Sequence, residues 1–173
     1  EVKQENNERK HAEQELFKAK EVAEENRDKY IHMYNKIEDA IFIFNPEDYH
    51  ILEANEATSK IYGYSQNELI GMSCLKFSVE VEKSKSTAED AKKKGKVDIE
   101  YRHDRKKDGT DVFVNLQAYK ISFKGKDAMF AVSRDITKKV YAERELNESE
   151  ERYNLAMDAT KDGIFDWNLI TNE

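Results

Sequence analysis

Hydrophobic positions recur at alternating spacings of three and four along residues 1–37, a stretch that contains neither Gly nor Pro. Such a heptad pattern predicts a helix that pairs with a second helix along one seam. The predicted seam includes Leu16, Ala19, Ala23, Asn26, Tyr30 and Met33. A solvated helix packed on its own domain is the alternative, because short heptad patterns also arise on such helices. In both cases, residues 1–37 are predicted to form an N-terminal helical linker.

From residue 40 onward the pattern becomes typical of strands. The apolar run Ala40 to Phe44 ends at Asn45-Pro46, where the proline fixes one backbone dihedral angle, and it predicts a buried strand. The stretch Val97 to Tyr101 alternates apolar and charged residues, which predicts a half-buried antiparallel strand whose apolar members share one face. Asp108-Gly109 suits a tight hairpin turn. Two further strands within residues 112–133 complete a predicted three-stranded meander.

A second helical segment follows the strands. After Asp135-Ile136-Thr137 the three-and-four spacing returns, so residues 138–157 are predicted to form a C-terminal linker helix. Residues 27–45 resemble residues 150–168 at a shift of 123, which predicts the start of a second, truncated copy of the domain at 158–173. The upstream linkers match at a shift of 130 instead. The difference of seven residues is one heptad, which preserves the phase of a helical seam.

Composition excludes several classes of function. The 29 basic and 36 acidic residues are interleaved and give a net charge of -7, which argues against a nucleic-acid-binding or membrane-binding surface. A single cysteine permits no internal disulfide and favours a reducing, cytoplasmic location. The chain has no Gly-rich phosphate loop, no paired histidine ligands and no nucleophile elbow. We therefore expect no catalytic residues and no metal site.

Five short motifs, taken in order, resemble the PAS domains with their C-terminal PAC region. They are Ala40 to Asn45, Ile51 to Ala57, Tyr62 to Gly71, Lys107 to Thr110 and Ala131 to Thr137. The resemblance implies an α+β PAS fold over residues 38–137, with a five-stranded antiparallel sheet and helices on one face that enclose a small pocket. It also implies that the helix after Asp135, Ile136 and Thr137 transmits signals, commonly to a histidine kinase.

The pockets of PAS relatives hold flavin, haem, small metabolites or nothing. The residues predicted to line a pocket here are Asn55, Tyr62, Tyr101, Val114, Leu116, Met129 and Ser133. No histidine lies between Leu75 and Arg102, where haem-binding relatives take their axial ligand, so haem is not expected. Cys74 has the spacing of the flavin-reactive cysteine of light-oxygen-voltage relatives. The polar residues that contact the flavin ring are replaced by Val114 and Ser133, so Cys74 is expected to be a small buried apolar residue.

Together these observations predict a cytoplasmic PAS sensory and signal-transmission module of a multi-domain protein, such as a sensor histidine kinase of a two-component system. The predicted partners are a second copy in a parallel homodimer, adjacent PAS and output domains, and a small-molecule ligand of unknown identity. Nucleic acid and membrane are not expected partners. A ligand-free structural spacer is the alternative function, and a flavin-binding photoreceptor is a third.

Overall fold

The computed structural model describes residues 2–159. The helices are α1 (Val2–Lys36), α2 (Glu56–Tyr62), α3 (Gln66–Leu69), α4 (Val81–Lys94) and α5 (Thr137–Ala159), with a 3₁₀ turn at Cys74–Phe77. The strands are β1 (Ala40–Phe44), β2 (Ile51–Ala54), β3 (Lys96–Arg105), β4 (Asp111–Phe123) and β5 (Lys126–Asp135). The predicted second copy of the domain at 158–173 lies, from residue 160 onward, outside the described residues.

The five strands form one antiparallel sheet, as predicted, and their order in the sheet is β2-β1-β5-β4-β3. The β4–β5 hairpin turns at Lys124-Gly125, where both residues have positive φ angles of 51° and 75°. This is the dihedral pattern that lets a two-residue turn match the twist of its strands. The connection from β3 to β4 contains Gly109, whose φ of 89° is unstrained only for glycine. The sheet therefore follows the turn chemistry of the sequence.

One face of the sheet forms the core together with α2, α3, α4 and the 3₁₀ turn. Alternate residues of β1 and β4 point into it, beginning with Ala40 and Val112, and each of these series is buried. The aromatic rings of Tyr62 and Phe77 stack at the centre, with centroids 3.8 Å apart. Helix α4 buries only the small residues Ser84 and Ala91. A helix that presents small side chains to the core leaves space beneath it.

A β-bulge in β3 changes which residues face the core. The register between β3 and β4 shifts between Ile99 and Arg102, so Val97 and Ile99 pack against the core whereas Tyr101 lies on the opposite face. Tyr101 is 46% exposed and stacks on Phe113 there. The predicted placement of Tyr101 in the pocket is therefore wrong. It assumed an unbroken two-residue alternation, and an inserted residue reverses that alternation.

Asn55 joins three elements at the edge of the domain. Its Oδ1 accepts hydrogen bonds from the backbone N–H groups of Ile41 and Thr58, at 2.9 and 3.0 Å, and thereby caps α2. Its Nδ2 donates to the carbonyl oxygens of Tyr34 and Asp39 at 3.3 and 3.0 Å. The fully buried amide thus connects the end of α1 with β1 and α2. Asn55 was predicted to line the pocket, and this prediction is wrong because its side chain is used at the junction.

The two long helices extend beyond the packed domain. Helix α1 is exposed along its described side chains up to Met33, and the predicted seam residues Leu16 and Met33 are 71% and 65% exposed. Tyr30 also contacts its own domain, because its hydroxyl donates to Glu53 at 3.4 Å. Helix α5 starts against the outer face of the sheet, where Tyr141 packs edge-on against Phe113. Beyond the segments that contact the domain, the described side chains of both helices are largely exposed.

We predict that Asn55→Ala lowers the free energy of unfolding by roughly 3 kcal/mol, because it orphans several buried backbone groups at once. Urea unfolding followed by circular dichroism measures the change. Asn115→Ala is the matched control, since the Asn115 amide donates to the carbonyl of Ile99 at 3.2 Å in a partly buried position. It should cost roughly 1 kcal/mol. Equal losses in the two variants would contradict the structural role assigned to Asn55.

Candidate functional site

A cavity of about 30 Å³ lies between the sheet, the 3₁₀ turn and α4. Its polar wall includes Arg102 and Asp104 of β3 and Ser84 of α4, and the rest is mostly apolar. The apolar lining includes Phe42, Phe44, Leu75, Phe77, Leu116 and Ala131. This volume accommodates one or two water molecules, whereas pockets for drug-sized ligands measure roughly 300 Å³ or more. The core is therefore nearly filled in this conformation.

A buried hydrogen-bonded cluster stands beside this cavity. The Tyr62 hydroxyl donates to Asp104 Oδ2 at 2.8 Å and lies 3.0 Å from Ser133 Oγ. Because a carboxylate only accepts, the tyrosine proton points to Asp104 and the Ser133 hydroxyl donates to Tyr62. Arg102 Nε donates to Asp104 Oδ1 at 2.8 Å. The carboxylate of Asp104 and the hydroxyl of Tyr62 thus join three elements, which are the strands β3 and β5 and the helix α2.

Burial shifts the pKa values of these groups. Desolvation raises the pKa of the Asp104 carboxyl, although the Arg102 guanidinium and the Tyr62 hydrogen bond oppose the shift. Desolvation also raises the pKa of Tyr62 well above its usual range. The pKa of Cys74 rises to about 12, chiefly because the thiol is buried. Cys74 is therefore a neutral thiol at physiological pH and not a reactive thiolate.

The predicted pocket residues occupy three different environments. Leu116 lines the cavity, and Tyr62 and Ser133 belong to the cluster beside it. Val114 and Met129 are fully buried members of the apolar core. Asn55 and Tyr101 lie elsewhere, as described above. The structure therefore brings Tyr62, Leu116 and Ser133 together around the cavity.

The two charged residues of the site were not predicted from the sequence. Arg102 and Asp104 occur in the charged stretch that ends β3, where exposure to solvent was the natural interpretation. The bulge turns both of them toward the core, so that Asp104 is 1% exposed. The sequence did contain one signal for this pair. Arg102 and Asp104 are two residues apart in a strand, and residues i and i+2 lie on the same face of a sheet, so the two side chains can pair there.

The predicted transmission residues form the junction between β5 and α5. Asp135 Oδ1 accepts from the backbone N–H of Thr137 at 2.8 Å and so supports the start of the helix. The N–H of Ile136 donates to the carbonyl of Phe113 at 2.8 Å, and Thr137 Oγ1 accepts from the N–H of Phe113 at 3.0 Å. This double contact pins the start of α5 to β4. Ser133 of the buried cluster is two residues from Asp135 on the same strand.

These features agree with the comparison to known protein families. A family model described as PAS domain matches residues 38–138, more than half of the chain. The chain belongs to the PAS domain family. A search of curated proteins finds no match. The match includes the sheet, the buried cluster and the start of α5.

Solved PAS structures share the fold at low sequence identity. The PAS domain of an HTR-like protein from Haloarcula marismortui is 21% identical with a TM-score of 0.62, and the alignment covers 69% of this chain and 98% of that one. A PAS domain from a two-component sensor histidine kinase is 17% identical with a TM-score of 0.59, covering 65% and 98%. An RNA-binding light-oxygen-voltage receptor is 17% identical with a TM-score of 0.60, covering 72% and 37%. These similarities show the fold.

We predict that Tyr62→Phe lowers the free energy of unfolding by roughly 2 kcal/mol. The substitution keeps the ring stacked on Phe77 but leaves Asp104 and Ser133 without their shared partner. The control is Tyr119→Phe, which removes a surface hydroxyl that donates to Gln117 at 3.3 Å. Urea denaturation of both variants is the measurement. If the two substitutions lower the free energy of unfolding by the same amount, the cluster does not stabilise the core.

The raised pKa of Asp104 predicts a pH dependence of known sign. Its contribution to stability is fully present below the ordinary pKa of 3.8 and is lost as pH rises through the folded value. The stability of wild type relative to Asp104→Asn should therefore fall as pH increases above about 4. The pKa of Asp111 is lowered by His103 and Arg105, so the margin over Asp111→Asn should instead fall as pH drops below 3.8. Unfolding midpoints between pH 3 and 7 test both signs, and margins that change in the same direction would contradict the assignment.

Proposed function

We propose that the chain is a cytoplasmic sensory and signal-transmission module of a multi-domain signalling protein, of the sensor histidine kinase type. The observation that carries this proposal is the position of Ser133. Its hydroxyl belongs to the buried cluster in the core, and its strand ends two residues later at Asp135, whose carboxylate accepts from the N–H of Thr137 at the start of α5. A change in the core that moves Ser133 would therefore displace the start of α5, the helix that leads toward the output domain and is called the output-side helix below.

The packing of α5 explains how such a displacement would be transmitted. Its first turns lie on the outer face of the sheet, where the Arg144 guanidinium lies 5.0 Å from the ring centroid of Phe113 and Arg144 Nη2 donates to Tyr101 at 3.2 Å. Beyond Val140, which is 7% exposed, the described side chains of α5 are largely solvated. Because α5 contacts the sheet through its first turns, it would change direction when that contact moves. Adjacent PAS and output domains would receive this change.

A parallel homodimer through α1 and α5 is part of the proposal. The exposed seam residues of α1 lie on one side of the helix and would be covered by the same residues of a second copy. They are Leu16, Ala19, Ala23, Asn26 and Met33. Tyr30, which contacts its own domain, marks where the paired segment would meet the packed domain. Pairing would also bury Leu146 and Tyr153 of α5, which are 58% and 60% exposed.

Ligand binding separates the two versions of this function. The sensor version requires the cavity to expand, and α4 is the element that would move, because small residues form its contact with the core. The cavity of about 30 Å³ favours the spacer version, in which the domain binds nothing and relays helix motion. Flavin is not proposed, because the cavity of about 30 Å³ is far too small for its ring system and Val114 and Ser133 stand where the resemblance places the polar partners of the ring. The absence of haem and flavin stays a prediction.

The proposal includes no catalytic activity and no contact with nucleic acid or membrane. In the described part of the chain, no helix combines the length and apolar character needed to cross a bilayer. Likewise, no group of three or more acidic, histidine or cysteine side chains within residues 2–159 is arranged as a metal site.

Native mass spectrometry of the chain purified from its own host distinguishes the sensor from the spacer. A bound small molecule supports the former, and an empty core supports the latter.

We predict that the chain sediments as a dimer and that Leu16→Asp shifts it toward monomer, because a charge would be buried at the seam. Phe17→Asp is the matched control. Phe17 is the next residue, is similarly exposed at 67%, and lies on the far side of the helix from the seam. It should leave the dimer intact. Equal sedimentation of both variants, or a monomeric wild type, would contradict pairing through this face.

A further inference from the structure

The two long helices leave the sheet at neighbouring points. Because β1 and β5 are antiparallel, the start of β1 lies beside the end of β5, and Ala40 pairs with Ser133. Helix α1 ends at Lys36, just before β1, and α5 begins at Thr137, just after β5. The end of α1 and the start of α5 therefore lie at the same end of the sheet, although about 100 residues separate them in sequence.

An ion pair joins the residues that flank these two helix ends. Arg134 Nε lies 3.1 Å from both carboxylate oxygens of Asp39, and Arg134 Nη2 donates to Asp39 Oδ2 at 2.8 Å. Asp39 belongs to the connection between α1 and β1, and Arg134 lies three residues before α5. The side chain of Asp39 is 21% exposed. A forked arginine–carboxylate pair of this kind fixes orientation as well as distance.

Each partner of the ion pair is also fixed to a helix. The carbonyl of Asp39 accepts from Asn55 Nδ2 at 3.0 Å, and the same amide holds the carbonyl of Tyr34 in the last turn of α1. On the other side, Arg134 precedes Asp135, whose carboxylate accepts from the N–H of Thr137. An unbroken series of contacts thus runs from the end of α1 to the start of α5. It passes along the edge of the domain and includes no residue that lines the cavity.

We propose that Asp39 and Arg134 are positioning residues that couple movement of α1 directly to α5, on a route that bypasses the core cavity. The β1–β5 ladder begins only at Ala40, so the Asp39 side chain adds a contact to β5 that the ladder does not provide. Through this contact a displaced α1 pulls on Arg134, the residue before Asp135 at the start of α5. The inference rests on the proposed transmission function and adds a second input to it. Signals from an upstream domain would reach the output helix even when the core binds nothing.

Hydrogen exchange of the whole chain tests this coupling. Tyr34→Phe loosens the attachment of α1 to β1, because it removes the hydroxyl that donates to the carbonyl of Ile41 at 3.2 Å. The readout is exchange at the N–H groups of Ile136 and Val140, which bond to Phe113 and Ile136 at the start of α5. The N–H of Leu116 in the central strands corrects for changes in global stability. We expect Tyr34→Phe to speed exchange at the α5 amides by about threefold.

The same substitution should have no effect at α5 in an Arg134→Gln background. The matched background is Lys120→Gln, which removes a surface ion pair with Asp127 on the β4–β5 hairpin and should preserve the threefold response. The reversed pair Asp39→Arg with Arg134→Asp should restore the response, which a merely structural loss at Arg134 would not allow. A response that persists in Arg134→Gln, or is absent in wild type, overturns the inference. Tyr62→Phe read at the same amides tests transmission from the core separately, so its failure would be distinguishable.

Discussion

The amide of Asn55 is the interaction on which the arrangement of this domain depends. A fully buried side chain amide must find partners for both its donor and its acceptor, and Asn55 finds them in α1, β1 and the first turn of α2. The backbone groups that it bonds are ones that helix ends and strand starts otherwise leave unpaired. The N-terminal helix is consequently attached to the domain through its last turns. The exposed length before them is available to meet another chain.

The end of β5 is the second point of convergence, and strand geometry explains why. Consecutive residues of a strand face opposite sides of the sheet, so Ser133 points into the core while Arg134 points outward to Asp39. The next residue, Asp135, supports the start of α5. Three adjacent residues thus receive contacts from the core, from α1 and from the output-side helix. In the proposed function, a ligand or an upstream helix would act on α5 through these three adjacent residues.

Sequence periodicity predicted the long helices and individual strands because these elements obey fixed repeats. The resemblance to PAS domains implied their arrangement in a five-stranded sheet. The apolar run at Ala40 to Phe44 and the turn glycines act locally, and the structure agrees with each. The site was predicted less well. A single bulge in β3 reversed the faces of Tyr101 and Asp104, and nothing in the local pattern marks its position. Asn55 was assigned to the pocket because its polarity was read without its partners, most of which lie 14 to 21 residues away.

The central claim is that orientation of the output-side helix carries the signal, and helix phase tests it most directly. The measurement is output activity, with and without stimulus, in a protein that joins this chain to its output domain, after insertions following Glu143. Seven residues turn the downstream face by about 700°, within ~20° of whole turns, whereas two turn it by roughly 200°. The account predicts that the seven-residue insertion preserves regulation and that the two-residue insertion inverts or abolishes it. Identical behaviour of the two insertions would contradict it and reduce α5 to a tether.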